Sequence, residues 1–276
     1  MPGMRSCSLD GGDGAAHGFG MSRRKFLSLV TSVAAAETLA GSAWAAAPTK
    51  VAKAVKIRAI CFDLFTIFDP RSVARAADAI APGHGLPLWN AWKTRQFEYS
   101  WLRAVSRRYV DFEAVTEQAL DYAASEQKIS LPPGARRLLV DAYSELEPWP
   151  DTRAALLSWK QAGLKLAPLS NYSPKMLGRL IARNGLEGVF DVLISSDAVQ
   201  TYKPDARAYA LGPSRLGLPA EQIAFSAFGG WDAAGAKWFG FPTFWVNRLG
   251  VTAEQLVTPD ATGPDLASLG TWISSR

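Results

Sequence analysis

The chain has 276 residues, 48% of them apolar and 20% charged, with a formal net charge of +5. That profile fits a globular protein with a full-sized core and excludes a disordered chain. The basic residues are scattered rather than grouped with aromatics, which argues against a nucleic-acid surface.

Residues 1–20 read as an upstream extension, with Met21 the more natural initiator. Residues 21–45 read as a signal peptide, with a basic start, a modest apolar stretch and the small-residue site Ala43-Trp44-Ala45. The pair Arg23-Arg24 inside "SRRKFL" is a twin-arginine export signature. The expectation is therefore a periplasmic protein, carried folded by the twin-arginine export machinery and cleaved after Ala45. Glu37 and several hydroxyl residues interrupt the apolar stretch, which argues against a retained span. Cleavage would remove Cys7 and leave Cys61, so no disulfide framework is expected. His17 and His84 are the chain's two histidines, and His17 precedes any folded segment. Histidine-base catalysis and a histidine-rich metal site are thereby all but excluded.

Strand-like runs recur at 57–62, 164–169, 191–194, 222–226 and 242–246, separated mostly by helical patterns. This alternation predicts an α/β fold with a doubly wound parallel sheet. About a hundred residues separate the first two strands, where a βαβ unit needs about 30. The excess reads as amphipathic helices over 72–81, 87–108, 111–127 and 133–146. The expected organisation is an α/β core of 56–72 and 149–276 with an inserted helical cap over 73–148, placed over the carboxyl ends of the strands. Beyond the cap, Asp151 reads as the N-cap of "TRAALLSWKQA", which stops at Gly163, and another helix starts at Ser173-Pro174.

The first strand runs straight into an acid in "AICFDLFTIFDP". A half-desolvated Asp63 there needs a partner or a task. Polar residues follow the other strand ends as well: Ser170 and Asn171 after "LKLAPL", Lys203 in "TYKPD", Asp232 after "IAFSAFGGW". Converging on one crevice, Lys203 would keep Asp63 ionised as a nucleophile. Taken singly, each has a plainer explanation: Asp63 as a turn cap, Lys203 as a solvated loop charge, Asp232 as an N-cap.

The order Asp, Ser-Asn, Lys-Pro-Asp, Asp, with a helical insert after the first motif, resembles the haloacid dehalogenase superfamily over about 56–265. More narrowly it is similar to the type II L-2-haloacid dehalogenases in "RQFEYSWLR", "LSN", "YKPDARAY" and "WDAAGAKWFGFPTFWVNR". The resemblance implies that superfamily's Rossmann-like core and hydrolytic dehalogenation of a small 2-haloacid, with no cofactor and no metal. Asp63 would attack C2 and form an ester, Lys203 would hold it, and Asp232 would orient or deprotonate the hydrolytic water. Ser170 would bind the substrate carboxylate with Asn171 beside the halide, Thr66 would stand for the family threonine, and Tyr209 would line the site. Tyr99 and Trp101 would help the lid exclude water. Phe65 and Phe228 occupy positions where superfamily phosphatases resemble one another in carrying acids. Halide departure needs neither acid.

Three departures accompany the resemblance. "DLFTIFD" is a residue shorter than the family's motif and lacks its glycine. Lys93 stands where the family has a halide-binding arginine, with Arg95 on another helix face. Ala227 and Gly229 stand for a serine and an asparagine, which threatens ester hydrolysis most. Two alternatives stay open: an impaired or non-enzymatic periplasmic protein that binds small carboxylates, and a phosphatase-like relative. Members of the subfamily are often dimers, which leaves a homodimer open.

Overall fold

The computed structural model describes residues 56–276. The expected upstream extension and signal peptide lie outside the described residues. Strand β1 (Ala59–Phe62) passes through Asp63 into a one-turn helix α1 (Leu64–Ile67) and the short β2 (Phe68–Asp69). Four helices follow: α2 (Arg71–Ile80), α3 (Gly85–Ser106), α4 (Phe112–Glu126) and α5 (Ala135–Ala142). The chain returns through β3 (Glu147–Pro148), then α6 (Thr152–Gln161), β4 (Lys165–Ser170), α7 (Pro174–Arg183) and β5 (Ile194–Ser195). Helix α8 (Ala206–Leu216), β6 (Ile223–Ala227), α9 (Gly230–Phe239), β7 (Thr243–Val246), β8 (Ala261–Gly263) and α10 (Leu266–Ser274) complete it. Among the described residues no helix is long and apolar enough to cross a membrane.

The six-stranded sheet has the order β5-β4-β1-β6-β7-β8, with every pairing parallel. Alternate residues of β1 enter opposite layers. Ile60 and Phe62 pack with Leu156, Leu166 and Leu269, whereas Ala59 and Cys61 pack with Tyr209, Phe225 and Ala236. Burial on both faces explains why β1 is an unbroken apolar run rather than an alternating one. Phe62 is level with Pro168 of β4 and Ser226 of β6, so three strand ends open side by side. Strand order diverges at β1, which places the crevice of a doubly wound sheet directly beyond Phe62.

The insert is all helical apart from its two crossings, which pair with each other as antiparallel Phe68↔Pro148 and Asp69↔Glu147. Its own core repeats at helical spacing, with Leu88, Trp92, Gln96 and Ser100 all buried on one side of α3. Two of the buried polar side chains on α3 pair with α4: Gln96 donates to Thr116 Oγ1 at 2.6 Å and the Trp92 indole donates to the Thr116 carbonyl at 2.7 Å.

Helix ends differ from expectation in one informative place. Ser173 caps α7 through the Met176 amide, and Gly163 follows α6 with φ of 80°. Asp151 occupies the N-cap position of α6 but makes no cap bond. Its carboxylate instead accepts from Arg248 and from the Leu266 amide, because two distant elements offer donors there. Strand β8 and helix α10 extend the sheet beyond the five predicted strands; "ATG" carries too little β-branched or aromatic content to stand out.

Candidate active site

Asp63 sits at the first step beyond β1, its backbone tied to β6 by a 2.8 Å bond from its amide to the Ser226 carbonyl. One carboxylate oxygen, Oδ1, accepts from the Phe65 amide at 2.8 Å, so Asp63 does cap the following turn. The other, Oδ2, accepts from Lys203 Nζ at 2.7 Å. The plain capping role and the chemical one therefore coexist on a single side chain.

Lys203 is not a solvated loop charge. It is 1% exposed, and the loop carrying it is anchored where its backbone amide donates to Asn171 Oδ1 at 2.8 Å. Its ammonium bridges Asp63 Oδ2 and Asp232 Oδ2, the latter at 2.8 Å. Burial works against the charge, but Asp232 and Asp63 outweigh it and hold the Lys203 pKa above the ordinary lysine range.

Asp232 lies in the first turn of α9, behind a Gly229 N-cap, and is fully buried. Burial pushes its carboxyl up to about 7 against the attraction of Lys203. The Tyr209 hydroxyl donates to Asp232 Oδ1 at 2.6 Å. Helices α8 and α9 come this close because residue 235 is glycine: a Cβ there would stand 2.5 Å from the Tyr209 hydroxyl.

Asp63 and Lys203 lie at the base of a partly open cavity of about 250 Å³ that the insert faces from above. Core residues Asp63, Ser170, Asn171 and Lys203 line it, and Trp89, Lys93, Phe97 and Phe112 of the insert face them. Lys93 Nζ lies 4.3 Å from the Trp89 ring centre, a contact worth about 0.5–2 kcal/mol. Burial lowers its pKa. Trp231 completes the wall between core and insert, with ring centres 5.2 Å from Phe97 and 5.8 Å from Trp101. Its indole rests on Gly229, where any Cβ would come within 2.7 Å of the ring nitrogen. The side chain absent at 229 is thus replaced in space by an aromatic one.

Several expected members of the site are placed elsewhere. Thr66 is fully buried and outside the cavity wall, its hydroxyl donating to the Asp63 carbonyl at 2.7 Å, so it stiffens the turn rather than touching a ligand. Tyr209 is likewise behind the wall, on Asp232. Asp232 itself is not among the residues lining the cavity; its Oδ2 accepts from Lys203 Nζ, so it anchors the ammonium from behind. Tyr99 turns toward Tyr122, away from the cavity, and Trp101 braces Phe97 from behind. Arg95 faces elsewhere too, paired with Glu98 at 2.9 Å and stacked 3.6 Å from the Tyr122 ring centre. Trp231, Phe97, Phe112 and the segment from Asn247 to Glu254 are wall residues that were not foreseen. The only advance signal was that Trp231 adjoins Asp232.

A magnesium ion does not fit this donor set. Both oxygens of Asp63 already accept hydrogen bonds, one of them from an ammonium. Phe65 and Phe228, ring centres 5.8 Å apart, put hydrocarbon where further oxygen ligands would have to stand. Among the described residues no cluster of three acids, histidines or cysteines is suited to a metal.

Residues 35–240 match the family model for haloacid dehalogenase-like hydrolases. The chain belongs to that family. Within the family, it is 43% identical over 206 residues to an (S)-2-haloacid dehalogenase of Pseudomonas sp. (strain YL), covering 74% of this chain and 89% of that one. It is 39% identical over 211 residues to haloacetate dehalogenase H-2 of Moraxella sp. (strain B), covering 76% and 94%. Among solved structures it is similar to the L-2-haloacid dehalogenase of Xanthobacter autotrophicus with chloropropionic acid covalently bound. That match has a TM-score of 0.74 at 34% identity, over 80% of this chain and 99% of that one.

Proposed function

We propose that the chain hydrolyses the carbon–halogen bond of short (S)-2-haloacids through an ester on Asp63, releasing (R)-2-hydroxy acids without a metal ion. The observation that carries this is the pairing of a cavity-floor carboxylate, Asp63, with the buried ammonium of Lys203, while Phe65 and Phe228 leave no acid for a phosphatase. A relative captured with chloropropionic acid covalently bound supports the same chemistry.

In the first step an oxygen of Asp63 bonds to C2 from the side opposite the halogen. The carbon–halogen bond breaks and halide leaves with the electron pair, inverting C2. Water then attacks the ester carbonyl carbon, the bond from that carbon to the substrate oxygen breaks, and the hydroxy acid departs carrying an oxygen from Asp63. Overall one water is consumed and one halide and one proton are released. Lys203 holds the Asp63 carboxylate in place through its hydrogen bond to Oδ2, and the half-buried Lys93 offers a positive charge on the insert's side to the halide or the substrate carboxylate. Enclosure of the pair supplies the alignment that in-line displacement needs. Export to the periplasm, read from residues 21–45, belongs to the same proposal.

The test is halide release from L- and D-2-chloropropionate and chloroacetate, with EDTA throughout, on protein from the periplasmic fraction whose first residue should be Ala46. Release from the L-isomer that persists in EDTA is expected. No release from any of the three would sink the proposal. One equivalent released in a burst that then stalls would place the slow step at ester hydrolysis, near Ala227 and Gly229.

Activity should also rise with pH through about 7. Below that, Asp232 takes up a proton, and the ammonium it shared turns wholly to Asp63 and draws charge from the nucleophile. The Tyr209 hydrogen bond favours the charged form of Asp232, so Tyr209→Phe should move this limb to higher pH. A limb left in place in that variant would assign it to another group.

A further inference from the structure

Every backbone carbonyl from Asp63 to Ile67 has a donor, and most of the donors come from far away in sequence. The Asp63 carbonyl accepts from Thr66, and the Leu64 carbonyl from the Phe68 amide. The Phe65 carbonyl accepts from the Trp149 indole at 2.9 Å. The Ile67 carbonyl accepts from the Trp149 amide at 3.0 Å and from the Thr152 hydroxyl at 2.7 Å. The Thr66 carbonyl accepts from both Nε and Nη2 of Arg248, at 3.0 and 2.8 Å. A one-turn helix cannot satisfy its own last carbonyls, and a single turn is unstable alone, so the shape of this turn is imposed from outside.

Arg248 is built for that task. Its side chain is 6% exposed, its guanidinium carbon lies 4.8 Å from the Trp149 ring centre, and Asp151 grips its other edge at 2.9 and 3.2 Å. Asp151 is in turn fixed by the Leu266 amide at 2.9 Å. Although Arg248 borders the cavity, its Nε, Nη1 and Nη2 are all engaged by Thr66 and Asp151. The planar fork is required here, because one group must serve a carbonyl and a carboxylate at once.

We propose that Arg248, held by Asp151, is a positioning residue for the nucleophile: through the Thr66 carbonyl it fixes the turn whose Phe65 amide aims the Asp63 carboxylate. The proposal rests on Asp63 being the nucleophile, as proposed above. Displacing a reacting group by about 1 Å can cost about 100-fold in rate, so a loosened turn should be felt in turnover rather than in binding.

The experiment compares wild type, Arg248→Lys and Arg248→Met with Ile223→Ala, a stability control at the far end of β6. Halide release gives kcat and KM, and hydrogen exchange by mass spectrometry reads the amides of residues 60–70. Both Arg248 variants should lose about 10- to 100-fold in kcat with KM within about threefold, and exchange over 64–68 should quicken. Ile223→Ala should lower the melting temperature but leave kcat and exchange over 64–68 unchanged. A raised KM with normal kcat would overturn the proposal and make Arg248 a substrate ligand. Equal kcat loss in Ile223→Ala would reduce Arg248 to general stability. If the wild type releases no halide, the dehalogenase reading fails, and the exchange arm alone decides whether Arg248 fixes the turn.

Discussion

Asp63→Asn should abolish halide release, by at least about 10⁴-fold or roughly 5 kcal/mol in the barrier, since each tenfold is about 1.36 kcal/mol. An amide cannot form the ester, and the other acid that lines the cavity, Glu254, lies in the segment beyond β7 rather than at the strand end beside Lys203. The fold should survive. An Asn carbonyl can still accept from the Phe65 amide, and Lys203 keeps Asp232 as its partner at 2.8 Å. With the Asp63 charge gone, one cause that raises the Asp232 pKa disappears too. Chloride measured over hours beside a thermal melt checks both halves. Residual turnover above about one per cent would remove Asp63 from the nucleophile's role.

Lys203→Met should cost the fold as well as the reaction. It strips the counter-charge from two carboxylates that lie 2.7 and 2.8 Å away, one of them fully buried. Breaking such a pair by removing one partner costs about 3–5 kcal/mol. The loss should depend on pH in a definite direction. Without the ammonium, the folded-state pKa of Asp232 moves further above its unfolded value, so the native variant binds more protons than the unfolded chain across the intervening window. Its stability must then fall as pH rises through that window and recover as pH drops. Urea melts of variant and wild type at pH 5.5 and 8 should therefore show the wider gap at pH 8. Equal gaps would mean that Lys203 does not carry the charge of Asp232.

The sheet, its insert and the meeting of Asp63, Ser170, Asn171 and Lys203 were legible because strand ends announce themselves. An apolar run stops, a polar residue follows, and parallel topology brings such ends together. Which way a side chain turns from there was not legible. Thr66, Tyr209 and Asp232 all lie on the expected backbone, yet each faces a neighbour rather than the cavity, because the nearest unmet donor or acceptor is behind the wall. Asp151 shows the same limit. Its position predicts a cap, but Arg248 and the Leu266 amide, a hundred residues away in sequence, win its carboxylate. The segment from Asn247 to Glu254 was opaque for a different reason, since loop composition says nothing about what a loop covers.

The antiparallel pairing of Phe68–Asp69 with Glu147–Pro148 has an evolutionary consequence. Departure and return lie side by side, so everything between them is a detachable module, replaceable without rethreading a single strand of the sheet. Asp63, Lys203 and Asp232 all belong to the permanent part, whereas Trp89, Lys93, Phe97 and Phe112 belong to the exchangeable one. Inheritance can therefore keep the chemistry and shop separately for the substrate.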